Sequence, residues 1–388
     1  MRSKPVISSV QLFMMALGSA LVFPYTFMPI LVTPPANQDV WIVLLSSFAF
    51  ILVINAPLLI LMNKFRGMDI NRIQETILGK LLGKVASLFF VLFFLYCFTA
   101  CMLISAMFIN IYIFPETPIW TLVAYMIVPV AYAAYKGAGP VGRIAVFIVP
   151  TAILMVIIFL LAGIGTMDIS ELKPVLSDST LGEITQGAFF TAARYSEILI
   201  FFVFSFFLHR RASINKTYAS ALLAFGLTYM AMLIPTMTVL GHEFAKHTWN
   251  PFFVFTRQVD LLQAIERMQA LTMLAWFPMA LLKLIMYCYM ASYTFSGVVG
   301  VRSHKPFVFP FAAVAYALCL LPIMNKSSTV ELLRSDRIFP WVILPVIFAI
   351  PLLLCVVYLL RRKKVDLLIP RKPEIPGQNE APPGNNGA

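Results

Sequence analysis

Between Arg267 and Arg302 the chain carries a single charged residue, Lys283, sixteen positions from the first and nineteen from the second. An apolar run of that length forms a helix able to cross a hydrocarbon core of about 30 Å, which takes about 20 residues. Lys283 is then a cation near mid-membrane. That placement costs roughly 2.5–3.5 kcal/mol on translocon scales and persists where a function or a partner holds it. The matching residue is Glu197, mid-way along another apolar run and three positions after Arg194. These three are the only charges within the apolar runs, so the chain reads as a polytopic, transporter-like protein with an ionised centre.

Ten such runs follow one another: 10–32, 40–62, 86–113, 118–135, 144–164, 184–208, 217–240, 268–300, 307–325 and 338–360. With 60% hydrophobic and 12% charged residues, the composition lies outside the soluble globular range. The expectation is an all-α polytopic membrane protein, one integral domain over 1–364 with no separate soluble unit. The first run is longer than the apolar stretch of a signal peptide and has no small-residue cleavage pattern, so it is read as the first span. Residues 365–388, with five prolines and several Gly and Asn, are expected to be a disordered cytoplasmic tail. All five cysteines fall in expected spans, which argues against a disulfide framework in the outer loops.

The net charge of +12 suggests nucleic acid until it is mapped onto the loops. Twenty of the 29 Lys and Arg lie in the N-terminal segment, in 63–84, 136–143, 209–216 and 302–305, and in the tail, all on one side of a ten-span chain. The alternate loops hold seven, together with eleven acids. The positive-inside rule therefore predicts both termini in the cytoplasm. The basic excess is topological, with a minor attraction to anionic membrane lipid and no call for nucleic acid.

The first span carries Gly18-Ser19-Ala20 at its middle and Pro24 beyond, a pattern that fits an unwound segment or an ordinary kink. The sixth begins with small and polar residues, including Thr191, Arg194, Tyr195, Ser196 and Glu197, then turns wholly apolar. So polar an outer half lines a cavity or packs on protein. If these two spans correspond, five helices form each repeat, 10–164 and 184–360, and an odd repeat inverts its orientation. Two long outer loops follow the fifth and seventh spans. The aromatics of 241–267 (Phe244, Trp249, Phe252, Phe253 and Phe255) suit either a membrane-surface anchor or a lid.

On one helix, Arg194 and Glu197 at i, i+3 are close enough to pair. They read either as a structural ion pair or as a binding site, with Arg194 for a carboxylate and Glu197 for an ammonium or a proton. Lys283 shares its helix face with Tyr287, and the third span offers Tyr96, Thr99 and Ser105 as polar groups. Enzyme signatures fail. Gly79 to Lys84 lacks the spacing and the Ser/Thr of a phosphate loop, and His242 and His247 diverge by about 140° on a helix, which breaks zincin geometry. No metal, cofactor or catalytic residue is expected.

Several segments together resemble a known family. They are Ile7-Ser8 with Gln11-Leu12, the Leu17-Gly18-Ser19 break, Asn37-Gln38-Asp39-Val40-Trp41-Ile42, Glu197 followed by Ile-Leu-Ile-Phe-Phe, and Arg257 with Asp260, Ile265, Glu266 and Arg267. The chain resembles the spore germinant-receptor B-subunit family, spore germination permeases of the amino acid–polyamine–organocation superfamily. The resemblance implies a LeuT-like fold of ten transmembrane helices in a 5+5 inverted repeat, with a midplane pocket among spans 1, 3, 6 and 8. It implies a subunit that senses a small-molecule germinant, often an amino acid or a sugar, in the inner membrane of a bacterial spore, beside an A subunit and a C lipoprotein subunit. Carried onto this chain, the pocket includes Gly18, Ser19, Arg194, Glu197 and Lys283, with Tyr96, Thr99, Tyr195 and Tyr287 added from their positions on the spans. The chain departs from the family pattern at Ala20, where a second glycine is usual, and in the lack of a proline at the end of the sixth span. A proton-coupled amino-acid transporter with Glu197 as proton carrier is the alternative reading. A membrane scaffold whose charges only fix helix packing is a third.

Overall fold

The computed structural model describes residues 7–209, 212–258, 268–321 and 339–368. Among these the chain is nearly all helix, and the one strand-like contact is an isolated parallel bridge between Ile7 and Leu208. Nine helical runs are long and apolar enough to cross a membrane, and the shorter apolar helix Lys305–Cys319 stands where the ninth span is expected. The last residues of that expected span, 322–325, lie outside the described residues.

Helix α1 (Ser9–Thr26) runs through the middle of the molecule and packs on α6 (Ala138–Gly163), α9 (Ile214–Leu240) and α12 (Met268–Val299). It starts on a capping box: Ser8 Oγ accepts from the Gln11 N–H, and Gln11 Oε1 accepts from the Ser8 N–H. The spacing of Ser8 and Gln11 is thus a helix-start signal. Helix α2 (Val40–Lys64) lies along α7 (Leu181–Ala193) and α9. The long α4 (Lys80–Tyr112) packs on α12, on the amphipathic α3 (Ile70–Leu78) and on α5 (Ile119–Lys136). Ile70, Ile73 and Ile77 recur at helical spacing and bury the inner face of α3.

The first span is continuous and the sixth is broken. Helix α1 is continuous through Gly18-Ser19-Ala20, so of the two readings of that pattern the unwound segment is not the one adopted. The small residues serve close packing instead. A Cβ on Gly18 would sit 2.5 Å from Val149 Cγ2, so glycine is what lets α1 and α6 approach. The sixth span does break: α7 ends at Ala193 and α8 (Ile198–Phe204) begins five residues later, with the four residues Arg194 to Glu197 between them. Tight-turn backbone bonds bracket the break, Tyr195 N–H to the Ala192 carbonyl at 3.0 Å and Ile200 N–H to the Glu197 carbonyl at 3.0 Å. Arg194 and Glu197 are therefore not neighbours on one helix, which removes the geometry on which their expected i, i+3 pairing rests.

The aromatics after the seventh span turn inward rather than toward the membrane surface. Helices α10 (His242–His247) and α11 (Pro251–Gln258) bury Phe252, Phe253 and Phe255, and only Phe244 is exposed. Phe252 meets Tyr25 edge-on at 5.1 Å, and Phe253 lies 4.3 Å from Tyr112. Burial of three such rings covers the end of the bundle with protein. The Asp260 to Arg267 part of the family pattern lies outside the described residues.

At the opposite end, Ile7 exchanges backbone bonds with Phe207 and His209, and Arg66 donates to the Ala212 carbonyl. The last span comprises α14 (Phe339–Leu344), a π-turn over Pro345–Ala349 and α15 (Ile350–Leu360). It leads to α16 (Arg362–Leu368), where Asp366 pairs with Lys64 at 3.0 Å. Residues 365–368 of the expected tail belong to this helix, and the rest of it, 369–388, lies outside the described residues. Both described ends of the chain lie on one face of the bundle, with the ends of α2 and the start of α9.

Candidate functional site

Four elements converge where the sixth span breaks. Glu197 at the start of α8, Lys283 in the middle of α12, Ser19 in α1 and Ser196 in the break are all buried. Lys283 Nζ donates to Glu197 Oε1 at 3.0 Å and to the Ser19 carbonyl at 3.0 Å. Phe23, one turn beyond Ser19 on α1, places its ring centroid 3.8 Å from the same ammonium. Two acceptors and a ring face thus surround the lysine, which is how a cation is held where water is absent. Ser19 Oγ also donates to Glu197 Oε1, at 3.4 Å. On the next turn of α12, the Tyr287 hydroxyl meets Ser196 Oγ at 3.4 Å.

The ion pair that was legible in the sequence as Lys283 with Glu197 is present, with a side-chain exposure of 1% and 2%. Arg194 turns another way. Its Nη1 donates to Thr33 Oγ1 at 3.0 Å, which ties the break to the short 3-10 turn Pro29–Val32 that follows α1. The polar side chains of 194–197 therefore reach partners on separate elements, and a regular helix would not present them in those directions. This is the physical cause we assign to the break.

A cavity of about 50 Å³ opens beside the pair, between α1, the Pro29–Val32 turn, α2, the broken sixth span and α9. Its polar side holds Arg194, Glu197, Thr191 and Ser47, and its walls include Phe23, Phe27, Ile30, Leu44, Ile51 and Phe225. Of the expected site residues, Arg194, Tyr195 and Glu197 line this cavity. Ser19 and Lys283 touch Glu197, and Tyr287 joins through Ser196. Gly18 sits at the α1–α6 contact instead. Tyr96 and Thr99 lie elsewhere on α4, their hydroxyls buried without a hydrogen-bond partner among the described residues. Among the described residues the cavity is lined from the first, second, sixth and seventh spans, and not from the third and eighth that the resemblance adds to the first and sixth. Thr33, Ser47, Phe23 and Tyr229, the last also a wall of the cavity, were not singled out in the sequence. Only Phe23 carried a signal, its position one turn from Ser19; a threonine in a loop and a serine in an apolar helix carry none.

The outer rim is strapped by the Asn37-Gln38-Asp39 segment. Asp39 is fully buried and accepts from the Leu176 N–H at 3.1 Å and from Ser179 Oγ at 2.6 Å. Gln38 Nε2 donates to the Pro174 carbonyl at 2.8 Å, and Asn37 Nδ2 to Ser179 Oγ at 2.9 Å. The acidic outer loop is thereby fixed to the start of α2. Alongside, a Cβ on Gly187 would fall 1.9 Å from the Pro34 carbonyl oxygen, so glycine alone lets α7 lie against the turn that carries Thr33.

A helix broken midway along an apolar span, with charges gathered at the break, defines a transporter-like architecture. A solved structure of MhsT in complex with L-phenylalanine superposes with a TM-score of 0.62 at 13% identity, over 92% of this chain and 99% of that one. The fold is LeuT-like, that of a multi-pass integral membrane protein. Residues 6–328 match the family model described as spore germination protein, and the chain belongs to that family. It is 23% identical to the spore germination protein YndE of Bacillus subtilis (strain 168) over 261 residues, which is 66% of this chain and 69% of YndE. A second relative in that organism, the candidate spore germination protein YfkT, is 24% identical over 345 residues, 87% of this chain and 90% of YfkT.

Proposed function

We propose that this chain is the germinant-sensing membrane subunit of a spore germination receptor. It binds a small molecule, an amino acid by our reading, in the cavity at the broken sixth span. It passes a conformational change to A and C partner subunits in the inner membrane of the spore. The observation that carries this reading is the Glu197–Lys283 pair at the break, tied to α1 through Ser19 and open to a cavity on its other side. A ligand that enters there touches the sixth span and α1 at once, so it favours one arrangement of these elements over another. A hundredfold preference for one arrangement supplies about 2.7 kcal/mol of bias. Binding and conformational coupling account for these residues without a catalytic step.

The competing reading is a proton-coupled amino-acid transporter, supported by the fold and by a single acid at the break. Purified protein in proteoliposomes, offered a panel of amino acids and sugars, separates the two. Saturable binding with no uptake, with or without a proton gradient, is the result expected of a receptor subunit. Concentrative uptake that follows the gradient would make the chain a working transporter instead.

A further inference from the structure

We infer that the groove between α5 and α13 (Lys305–Cys319) binds an anionic phospholipid through its headgroup phosphate. This site is separate from the cavity and does not depend on the function proposed for it. Lys136 ends α5, Lys305 begins α13, and the two helices pack on each other. Each ammonium sits over a ring of α5: Lys136 Nζ lies 4.9 Å from the centre of Tyr132, and Lys305 Nζ lies 5.0 Å from that of Tyr135. The two rings are three positions apart on one helix, so both cations are drawn to the same end of α5. Both lysines are exposed. Among the described residues neither is in an ion pair, whereas Lys64 and Arg362, at another corner, share Asp366. Segments 136–143 and 300–305 carry Lys136, Arg143, Arg302 and Lys305 and contain no Asp or Glu. Cations gathered without a counter-charge of their own attract an anion from outside the chain.

The joint that holds the two lysines is built rather than loose. His304 Nε2 donates to the Ala134 carbonyl at 3.2 Å, and the His304 ring lies 4.8 Å from Tyr289 on α12. The two ammonium groups are thereby pre-positioned, which lowers the ordering cost of binding. The surface beside them decides the kind of anion. Tyr132, Val128 and Tyr125 continue from Lys136 along the exposed face of α5 at helical spacing, and Phe309 stands exposed one turn after Lys305. The Tyr135 and Phe309 rings meet at 5.7 Å and floor the groove. A pair of cations above an apolar, aromatic surface fits a molecule with a phosphate at one end and an acyl chain at the other. A soluble anion or an acidic peptide would leave the apolar half of this surface uncovered. The positive-inside rule predicts that the groove opens on the cytoplasmic leaflet, where anionic lipid is drawn to basic segments.

The test is native mass spectrometry of the full-length, delipidated protein titrated with palmitoyl-oleoyl phosphatidylglycerol or with the matching phosphatidylcholine. The wild type is expected to take up one phosphatidylglycerol at least about tenfold more tightly than phosphatidylcholine. Each lysine contributes about fivefold, so Lys136→Gln with Lys305→Gln should weaken phosphatidylglycerol binding about 25-fold. Lys136→Arg with Lys305→Arg should retain it. Lys363→Gln with Lys364→Gln removes the same charge from α16 and should leave it within about twofold. Equal affinity for the two lipids, no loss in the Lys136/Lys305 glutamine variant, or equal loss in the Lys363/Lys364 variant would each overturn the inference. Displacement of the lipid by equimolar glycerol phosphate or hexaglutamate would overturn it too, because the occupant would then be a free phosphate or an acidic protein segment. Should the double glutamine variant fail to fold, Lys305→Gln alone is read in its place: about fivefold weaker binding supports the site, and unchanged binding contradicts it.

Discussion

The Lys283 ammonium is held by a carboxylate, a backbone carbonyl and an aromatic face, each from the first or sixth span. Removal of one member of such a buried pair strands the other, which costs about 3–5 kcal/mol. Lys283→Ala is therefore expected to lower the unfolding temperature sharply in thermal unfolding of the detergent-solubilised protein. The double change Lys283→Met with Glu197→Gln should recover a large part of that loss, because no unpaired charge remains. Equal destabilisation by the single and double variants would show that the pair is not the unit described. Phe23→Leu removes the ring face alone and is expected to cost about 1–2 kcal/mol. At this scale the sequence was informative where chemistry was conspicuous: a lone lysine and a lone glutamate in apolar runs can be matched by elimination. Thr33 was invisible, since its role depends on how a loop folds back over the sixth span.

Among elements, the break at 194–197 and the outer strap set the shape of the site. Asp39 gathers a backbone N–H and a hydroxyl from the outer loop with its buried carboxylate, bonds worth about 1.5–3 kcal/mol when one partner is charged. Asp39→Ala should raise hydrogen exchange at Leu176 and the neighbouring loop amides, while α4 and α12 stay protected; unchanged exchange at Leu176 would contradict the strap. Across the molecule, the Lys64 ammonium and the Tyr358 hydroxyl hold the Asp366 carboxyl below its ordinary value. The contact is thus fully formed at neutral pH and is lost as pH falls through the acid range below 3.8, the ordinary value of an aspartate. Protection at 362–368, taken relative to the intrinsic exchange rate at each pH, should fall on acidification in the wild type, and in Asp366→Asn it should be low already at neutral pH and lose that dependence. A succession of apolar helices was legible because apolar length is a direct demand of the bilayer, and nine helices among the described residues meet it. Where a helix breaks was not. Gly18-Ser19-Ala20 reads as a weak point, yet in a packed interior small residues allow close approach, and the break fell where charged side chains needed divergent directions.

For the whole molecule, a LeuT-like fold places one acid, its lysine and a nearby arginine around a cavity that only the assembled bundle encloses. Its walls come from α1, α2, the sixth span and α9, distant in sequence, so lining residues such as Ser47 and Phe225 had no pattern to reveal them. Both described ends of the chain share the face that bears Lys64, Arg66 and α16. The positive-inside rule predicts that this face lies in the cytoplasm. A fluorescent-protein fusion at the C-terminus should therefore fluoresce and a phosphatase fusion there should be inactive; the reverse pattern would invert the topology.

The most direct test of the account is ligand titration of the purified wild type against Ser47→Phe, a substitution that fills the cavity without touching a charge. Binding that saturates in the wild type and disappears in Ser47→Phe, with the unfolding transition retained, is the predicted result. Equal saturable binding by both proteins would place the ligand elsewhere and contradict the claim that the cavity beside Glu197 and Lys283 is where this protein recognises a small molecule.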